Sequence, residues 1–175
     1  GIVPIGSGND FAYSMGILEK PAQALANALK GTNIQTVDVG LITDENGRTE
    51  YFDNTLGIGF DTVVTIRSHK LPIVKGFLMY LAAVIQTIIL NHNAAKMQME
   101  TETKKWEQDV IMLTLCNGPS EGGGFMLSPN SKNNDGRMEF LTVAKLSRAT
   151  MFRLLPEFLK GTHMRFKQVQ MGEFK

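Results

Sequence analysis

Apolar and polar residues alternate along this chain in two rhythms, and the change between them comes near residue 35. Residues 1–5 (GIVPI) are an apolar run that reads as the end of a buried strand. Gly6 to Asp10 is a glycine-rich turn, and Phe11 opens a helical stretch. Pro21 suits the first turn of a helix over Ala22–Lys30, a run of strong helix formers, and Gly31 is placed to cap it. Strand, loop, helix, helix is the grammar of an α/β domain, and residues 1–35 are too short to be a whole one.

Beyond residue 35 the period shortens to two. Thr36–Thr43 alternates, Asp44–Gly47 is a turn with the Asn-Gly hairpin signal, and Thr49–Phe60 returns as a strand. Met97–Thr103 alternates, the Lys104-Lys105 region turns, and Asp109–Cys116 is a second apolar strand. After a glycine-rich and polar stretch over 117–133, Arg137–Lys145 is strand again, and His163–Met171 alternates as the last. Two helices interrupt this pattern. One is apolar, over 72–91, opened by Pro72. The other is amphipathic, over Ser147–Lys160, with Ser147 as N-cap, Gly161 beyond its end and a kink at Pro156. The expected fold class is α+β, mainly β. An antiparallel, sandwich-like domain covers 36–175, preceded over 1–35 by the tail of an α/β domain.

Composition narrows the function. The 175 residues hold 18 Lys plus Arg against 17 Asp plus Glu, so no general electrostatic pull onto nucleic acid is expected. A lone cysteine, Cys116, excludes internal disulfides and multi-cysteine zinc sites. With no secretory signal, the setting reads as reducing and cytoplasmic. The most apolar run, Phe77–Leu90, falls short of the roughly 20 residues that a membrane-crossing helix needs. Basic residues dominate 145–175, where the acids are Glu157 and Glu173. That stretch is a candidate surface for anionic lipid heads. The chain starts inside an apolar run without Met and stops at Phe174-Lys175 without a cap, so a fragment of a longer protein is expected.

Gly6-Ser7-Gly8-Asn9-Asp10 is the sharpest chemical feature. Glycines let backbone N–H groups approach a phosphate, Ser7 adds a hydroxyl donor, and Asp10 can cap the helix or orient a magnesium-bound water. The pattern lacks the third glycine of a dinucleotide fingerprint and the Gly-Lys-Ser/Thr of a P-loop, so a capped tight turn remains the structural alternative. Gly122–Gly124 suits a loop that passes close to a ligand or another backbone. Asp135-Gly136 is either a simple turn or a carboxylate that, with neighbouring carbonyls, suits a hard divalent cation. His69, His92 and His163 lack metal-ligand spacing and read as surface or packed residues, and Cys116 reads as inert core.

Several of these segments together resemble one family. Gly1–Ala12 with Met15-Gly16-Ile17 is similar to the Asn-Asp-Phe-Ala segment of the diacylglycerol kinase catalytic domain, whose family includes bacterial lipid kinases, sphingosine kinases and ceramide kinases. Asp38-Val39-Gly40, Phe52–Asp61, Cys116-Asn117-Gly118, Gly122–Gly124, Pro129 and Asp135-Gly136 resemble its later blocks, in order. The bacterial soluble lipid kinases look most similar. The resemblance implies two domains: an α/β domain that binds ATP, its end being residues 1–35, and a β-sandwich lipid-side domain over 36–175, incomplete at its C-terminus. Gly6, Ser7, Gly8, Asn9 and Asp10 would then meet the nucleotide phosphates. Asp38 would belong to the magnesium-linked acidic network. Asp135, with the backbone oxygens of Lys132 and Arg137, would hold a structural Mg2+.

Two departures stand out. The family's Gly-Gly-Asp-Gly-Thr phosphate loop is absent from this segment, and its Asp-Gly-Glu general base is expected downstream. Glu173, in Met171-Gly172-Glu173, lacks that motif's Asp and arrives too early, so no general base is assigned within the chain. The parent protein is expected to be an ATP- and magnesium-dependent kinase of a diacylglycerol-like lipid at a membrane surface, and the fragment alone to be inactive. An exposed strand edge would favour pairing into a homodimer. The alternatives are a non-catalytic lipid- or partner-binding β-domain and an NAD-kinase-like nucleotide kinase. A Rossmann dehydrogenase lacks its acidic ribose-binding residue here.

Overall fold

The structure, a computed structural model, describes residues 1–71 and 75–175. In chain order its elements are helices α1 (Asp10–Ser14) and α2 (Pro21–Lys30), strands β1 (Gly40–Thr43), β2 (Thr49–Phe52) and β3 (Thr55–Gly59), and helices α3 (Phe60–Ser68) and α4 (Phe77–Leu90). Strands β4 (Ala95–Glu100), β5 (Lys105–Cys116), β6 (Ser120–Glu121), β7 (Phe125–Met126) and β8 (Met138–Ala144) follow, then helix α5 (Arg148–Lys160), a single 3-10 turn (His163–Arg165) and strand β9 (Val169–Phe174).

The long β5 organises the molecule. Along one edge it pairs antiparallel first with β4 and then with β3; along the other it pairs with β8, which pairs with β9. A register shift between Val110 and Met112 lets the strand bend where its two partners meet. On one face of this sheet α3, α4 and α5 pack together. Val64, Ala83, Val84, Ile88, Met151 and Leu154 from the helices meet Ile111, Met112, Leu141 and Val143 from the strands in one core. Burial of this apolar surface, at about 25 cal/mol per Å², is the main force holding helices to sheet. Cys116 lies in the same core, fully buried, and burial pushes its thiol well up.

The capped helices form as their sequences dictate. Ser147 Oγ accepts from the Thr150 N–H at the start of α5, and Gly161 closes its end in the left-handed region (φ 69°). The helix runs on through Pro156. Pro21 begins α2, and Gly31 ends it the same way. The opening expected at Pro72 lies outside the described residues.

Four expectations change. Residues 1–5 form no strand. The Ile5 N–H turns back onto the Val3 carbonyl (2.9 Å) about Pro4, and among the described residues no strand lies alongside to pair with it. The run Thr49–Phe60 divides, because β2 pairs with β1 in a separate hairpin while β3 joins the main sheet. Within the run His163–Met171, the first residues coil into the 3-10 turn, and His163 is fully buried with its ring stacked on Phe158 (4.3 Å). The fourth change is α3, a helix in a stretch with no periodic signal. Its Thr62, Val63, Val64, Thr65 and Ile66 favour strands in isolation, and packing against α4 and β5 overrides them.

Candidate functional site

Two glycine loops far apart in sequence meet at one point, and Asp10 joins them. The first is shaped by Asn9, which adopts the left-handed conformation (φ 57°), accepts from the Gly6 N–H (2.8 Å) and donates to the Gly6 carbonyl (3.0 Å). This reciprocal pair closes a ring around Ser7 and Gly8. Asp10, the next residue, begins α1 and turns its carboxylate onto the second loop. There Oδ1 accepts from Ser120 Oγ (3.0 Å) and Oδ2 from the Gly123 N–H (2.9 Å). The approach requires glycine on both sides. A Cβ on Gly8 would fall 2.4 Å from Asp10 Oδ2, and one on Gly123, whose φ is +78°, would lie 3.3 Å from Gly8 Cα.

Strand ends carry this junction. Asn117, fully buried at the end of β5, donates from Nδ2 to the carbonyls of Asp38 (2.8 Å) and Asp53 (2.7 Å). The Asn54 carbonyl accepts from the N–H groups of Asn117 and Gly118, and the Asn54 amide donates to the Ser120 carbonyl (3.0 Å). Asp38 reaches the loop before β8: its N–H donates to the Asn133 carbonyl, and its Oδ2 accepts from the Gly136 N–H, both at 2.7 Å. Asp135 Oδ1 accepts from the Arg137 N–H (3.1 Å), and among the described residues its second oxygen has no protein donor. Thus Asp38 and the loop 132–137 come together as one group, and Gly6–Asp10 with Gly122–Gly124 as another.

Between α3 and β6 lies a feature that spacing alone does not reveal. Asp61, buried in the first turn of α3, faces Glu121 on β6, and each carboxyl group perturbs the other. Thr114 Oγ1 donates to Asp61 Oδ2 (3.2 Å), and Thr55 Oγ1 donates to Glu121 Oε2 (2.8 Å). Gly57 makes room for the pair, since a Cβ there would stand 2.1 Å from Asp61 Oδ2. Burial raises the pKa of both acids, and the Asp61 charge raises Glu121 further. The Tyr80 hydroxyl is raised as well, by burial first and then by Glu121 and Asp10.

The pair sits where two cavities meet. A recess of about 360 Å³ is lined by Asp61, Glu121, Tyr80, Thr55, Thr62 and Ile66 among others. An apolar slot of about 70 Å³ runs from Asp61, Tyr80 and Glu121 toward Phe60, Val84, Met112 and Phe158 under α5. A mouth that carries carboxyl and phenol groups and opens onto an apolar interior can hold an amphiphile by its head and the start of its chain. Among the described residues, no group of three His, Cys, Asp or Glu side chains is placed to hold a metal ion. A site built on one carboxylate, Asp135, with backbone carbonyls and waters remains chemically suited to Mg2+, which keeps several waters when bound.

Comparison with known proteins bears on this geometry. Residues 54–174 match the YegS C-terminal NAD kinase beta sandwich-like domain, and residues 1–42 match the diacylglycerol kinase catalytic domain. The chain belongs to the YegS lipid kinase family. Among its relatives, the Mycobacterium tuberculosis protein named diacylglycerol kinase is 28% identical over 175 residues, which is all of this chain and 57% of the relative. A protein named as a YegS-like lipid kinase in Chromohalobacter salexigens is 32% identical over 182 aligned residues, covering all of this chain and 56% of the relative. The chain thus spans about half the length of these lipid kinases. The crystal structure of a diacylglycerol kinase from Bacillus anthracis superposes with a TM-score of 0.63 at 18% identity, covering 99% of this chain and 53% of that one, and so shares the fold.

Within this YegS-family fold, the sequence singles out Asp10, Asp38 and both glycine loops but not the Asp61–Glu121 pair. The available signal was weak: an acid after Gly57 and Gly59, and an acid set against three glycines.

Proposed function

We propose that this chain is the lipid-side part of an ATP-dependent kinase that transfers the γ-phosphate to the hydroxyl of a diacylglycerol-like lipid. The junction at Asp10 carries the reading. It holds the Gly6–Asp10 loop, the family's nucleotide-phosphate segment, against the Gly122–Gly124 loop and so beside the recess and slot that suit an amphiphile. The separate matches of 1–42 and 54–174 support a division into the end of a nucleotide-binding domain and a lipid-side domain.

In this reading the N–H groups of Ser7 and Gly8 and the Ser7 hydroxyl face the phosphates, while Asn9, bonded to the Gly6 N–H and carbonyl, holds their loop closed. Asp135, with the carbonyls of Lys132 and Arg137, would hold Mg2+, and Asp38 orders that loop through Gly136. When bound, the ion supplies positive charge that fixes the loop and offsets nearby negative charge. Asp61, Glu121 and Tyr80 receive the polar head of the acceptor, and the apolar slot receives the beginning of its acyl chain. The general base comes from outside this segment, so the 175 residues alone do not complete the reaction.

The test is a kinase assay on the full-length protein that contains this segment, with γ-labelled ATP, Mg2+ and diacylglycerol in mixed micelles, beside the isolated chain. Labelled phosphatidic acid from the full-length protein and none from the chain is the expected result. Phosphorylation of NAD in place of lipid would overturn the reading in favour of a nucleotide kinase.

A further inference from the structure

The carboxyl pair between α3 and β6 has no cation to answer it. Among the described residues, neither the recess nor the apolar slot is lined by Lys, Arg or His. Asp61 is 7% exposed, so water screens its charge poorly. Burial raises the Glu121 carboxyl well above its ordinary value and the Asp61 charge raises it further, a sign of how strongly charge is felt here. Asp10 on α1 adds to the same effect, and its own oxygens are taken by Ser120 and Gly123.

Side-chain donors are scarce there as well. Thr55 Oγ1 is engaged by Glu121 (2.8 Å), Thr114 Oγ1 by Asp61 (3.2 Å) and Thr62 Oγ1 by the Gly57 carbonyl (2.7 Å). The other side-chain donors on the recess wall are the neutral hydroxyls of Thr65 and Tyr80. The wall therefore offers mainly carboxyl oxygens, which accept. An uncharged head with a free hydroxyl brings those oxygens a donor. A phosphodiester brings more acceptors and another negative charge.

We propose that Asp61 and Glu121 select the acceptor by charge: they accept hydrogen bonds from the hydroxyl of an uncharged amphiphile and reject amphiphiles whose head carries a phosphate. The slot that begins at the same two residues takes the start of an acyl chain whichever head precedes it, so discrimination falls to the acids. This inference rests on the reading of recess and slot as the acceptor site, and it narrows that site to neutral lipids as opposed to phospholipids. The two acids act as a unit. Replacing one relieves the other of its neighbour's charge and lets it ionise more readily, so a single amide substitution leaves the site negative.

The test is calorimetric titration of the full-length protein that contains this segment, without ATP, with dihexanoylglycerol and with dihexanoyl phosphatidylglycerol, both as monomers. The two share their acyl chains and a free hydroxyl, and the second adds a phosphodiester. The parent is expected to bind the neutral lipid more tightly by about tenfold or more. Asp61→Asn with Glu121→Gln should shrink that gap to about threefold or less, while either substitution alone keeps most of it. Ile66→Lys, at a position that lines the recess and is 51% exposed, leaves the buried pair in place and sets an ammonium on the rim; it should narrow the gap from the phospholipid side. Glu45→Gln with Glu50→Gln on the β1–β2 hairpin changes the net charge as much as the double substitution does and should leave the gap as in the parent. Equal affinities in the parent, no binding of either lipid, or a gap that survives both the double substitution and Ile66→Lys overturns the inference. A preference for the neutral lipid without phosphoryl transfer would uphold the inference and count against the kinase reading, whereas equal transfer to both lipids would do the reverse.

Discussion

Glu121 is the residue whose environment makes the sharpest demand. Its carboxyl and that of Asp61 are both raised above their ordinary values of 4.5 and 3.8, so the folded state holds protons that the unfolded chain releases. Stability contributed by such groups is present at low pH and declines as pH rises from the unfolded values through the raised folded ones. Glu121→Gln keeps the shape and removes the second charge. It is expected to flatten that decline, giving a higher Tm than the parent at pH 7 and little difference near pH 4, read from thermal melts across that range. No sequence pattern announces the pair, because it forms between positions 60 residues apart, on different elements, through the space left at Gly57. Asp10, by contrast, was legible: an acid at the start of a helix after glycines has few roles, although its bond to Gly123 could be known only from the fold. Asp10→Ala leaves the Gly123 N–H and Ser120 hydroxyl without their acceptor. A loss of about 1–3 kcal/mol is expected by chemical denaturation, together with faster proteolysis within residues 6–9.

Elements were readable where local chemistry and tertiary packing agree. The α5 signals at Ser147 and Gly161 are satisfied by the bonds they predict, and Ser147→Ala is expected to cost about 1 kcal/mol in denaturant melts because the Thr150 N–H loses its acceptor. Strands β4, β5 and β8 appear where apolar runs and alternation placed them, with ends moved by a few residues. The failures share a cause: a distant partner outweighs local preference. The β-branched run of α3 coils because Val64 and Ser68 are drawn into the interior beside α4. Residues 1–5 have strand composition but no neighbouring strand among the described residues, and an isolated strand has nothing to bond. The 3-10 turn at His163 buries an imidazole that alternation would have set on a strand. Burial also depresses the pKa of that ring, so it is held neutral within the fold.

At the scale of the whole molecule, the two ends of the chain differ in how they are held. Residues 36–175 own the core, whereas residues 1–35 bury Ala12 and Ala24 and leave Ile5, Leu18, Leu29 and Ile34 largely exposed. What fixes the early segment is a handful of polar bonds to loops made much later in the chain. The bond from Gly123 to Asp10 spans 113 positions, and Asn133 reaches back 119 to Ser14. These acceptors do not exist in place until β5, β6 and the turn before β8 have been set. Synthesis therefore releases the glycine loop well before the loops that position it. During that interval the Asp10 carboxylate stays exposed, without Ser120 and Gly123. A mutation that merely slows the pairing of β5 with β8 would prolong that exposure while leaving every contact of the finished fold intact.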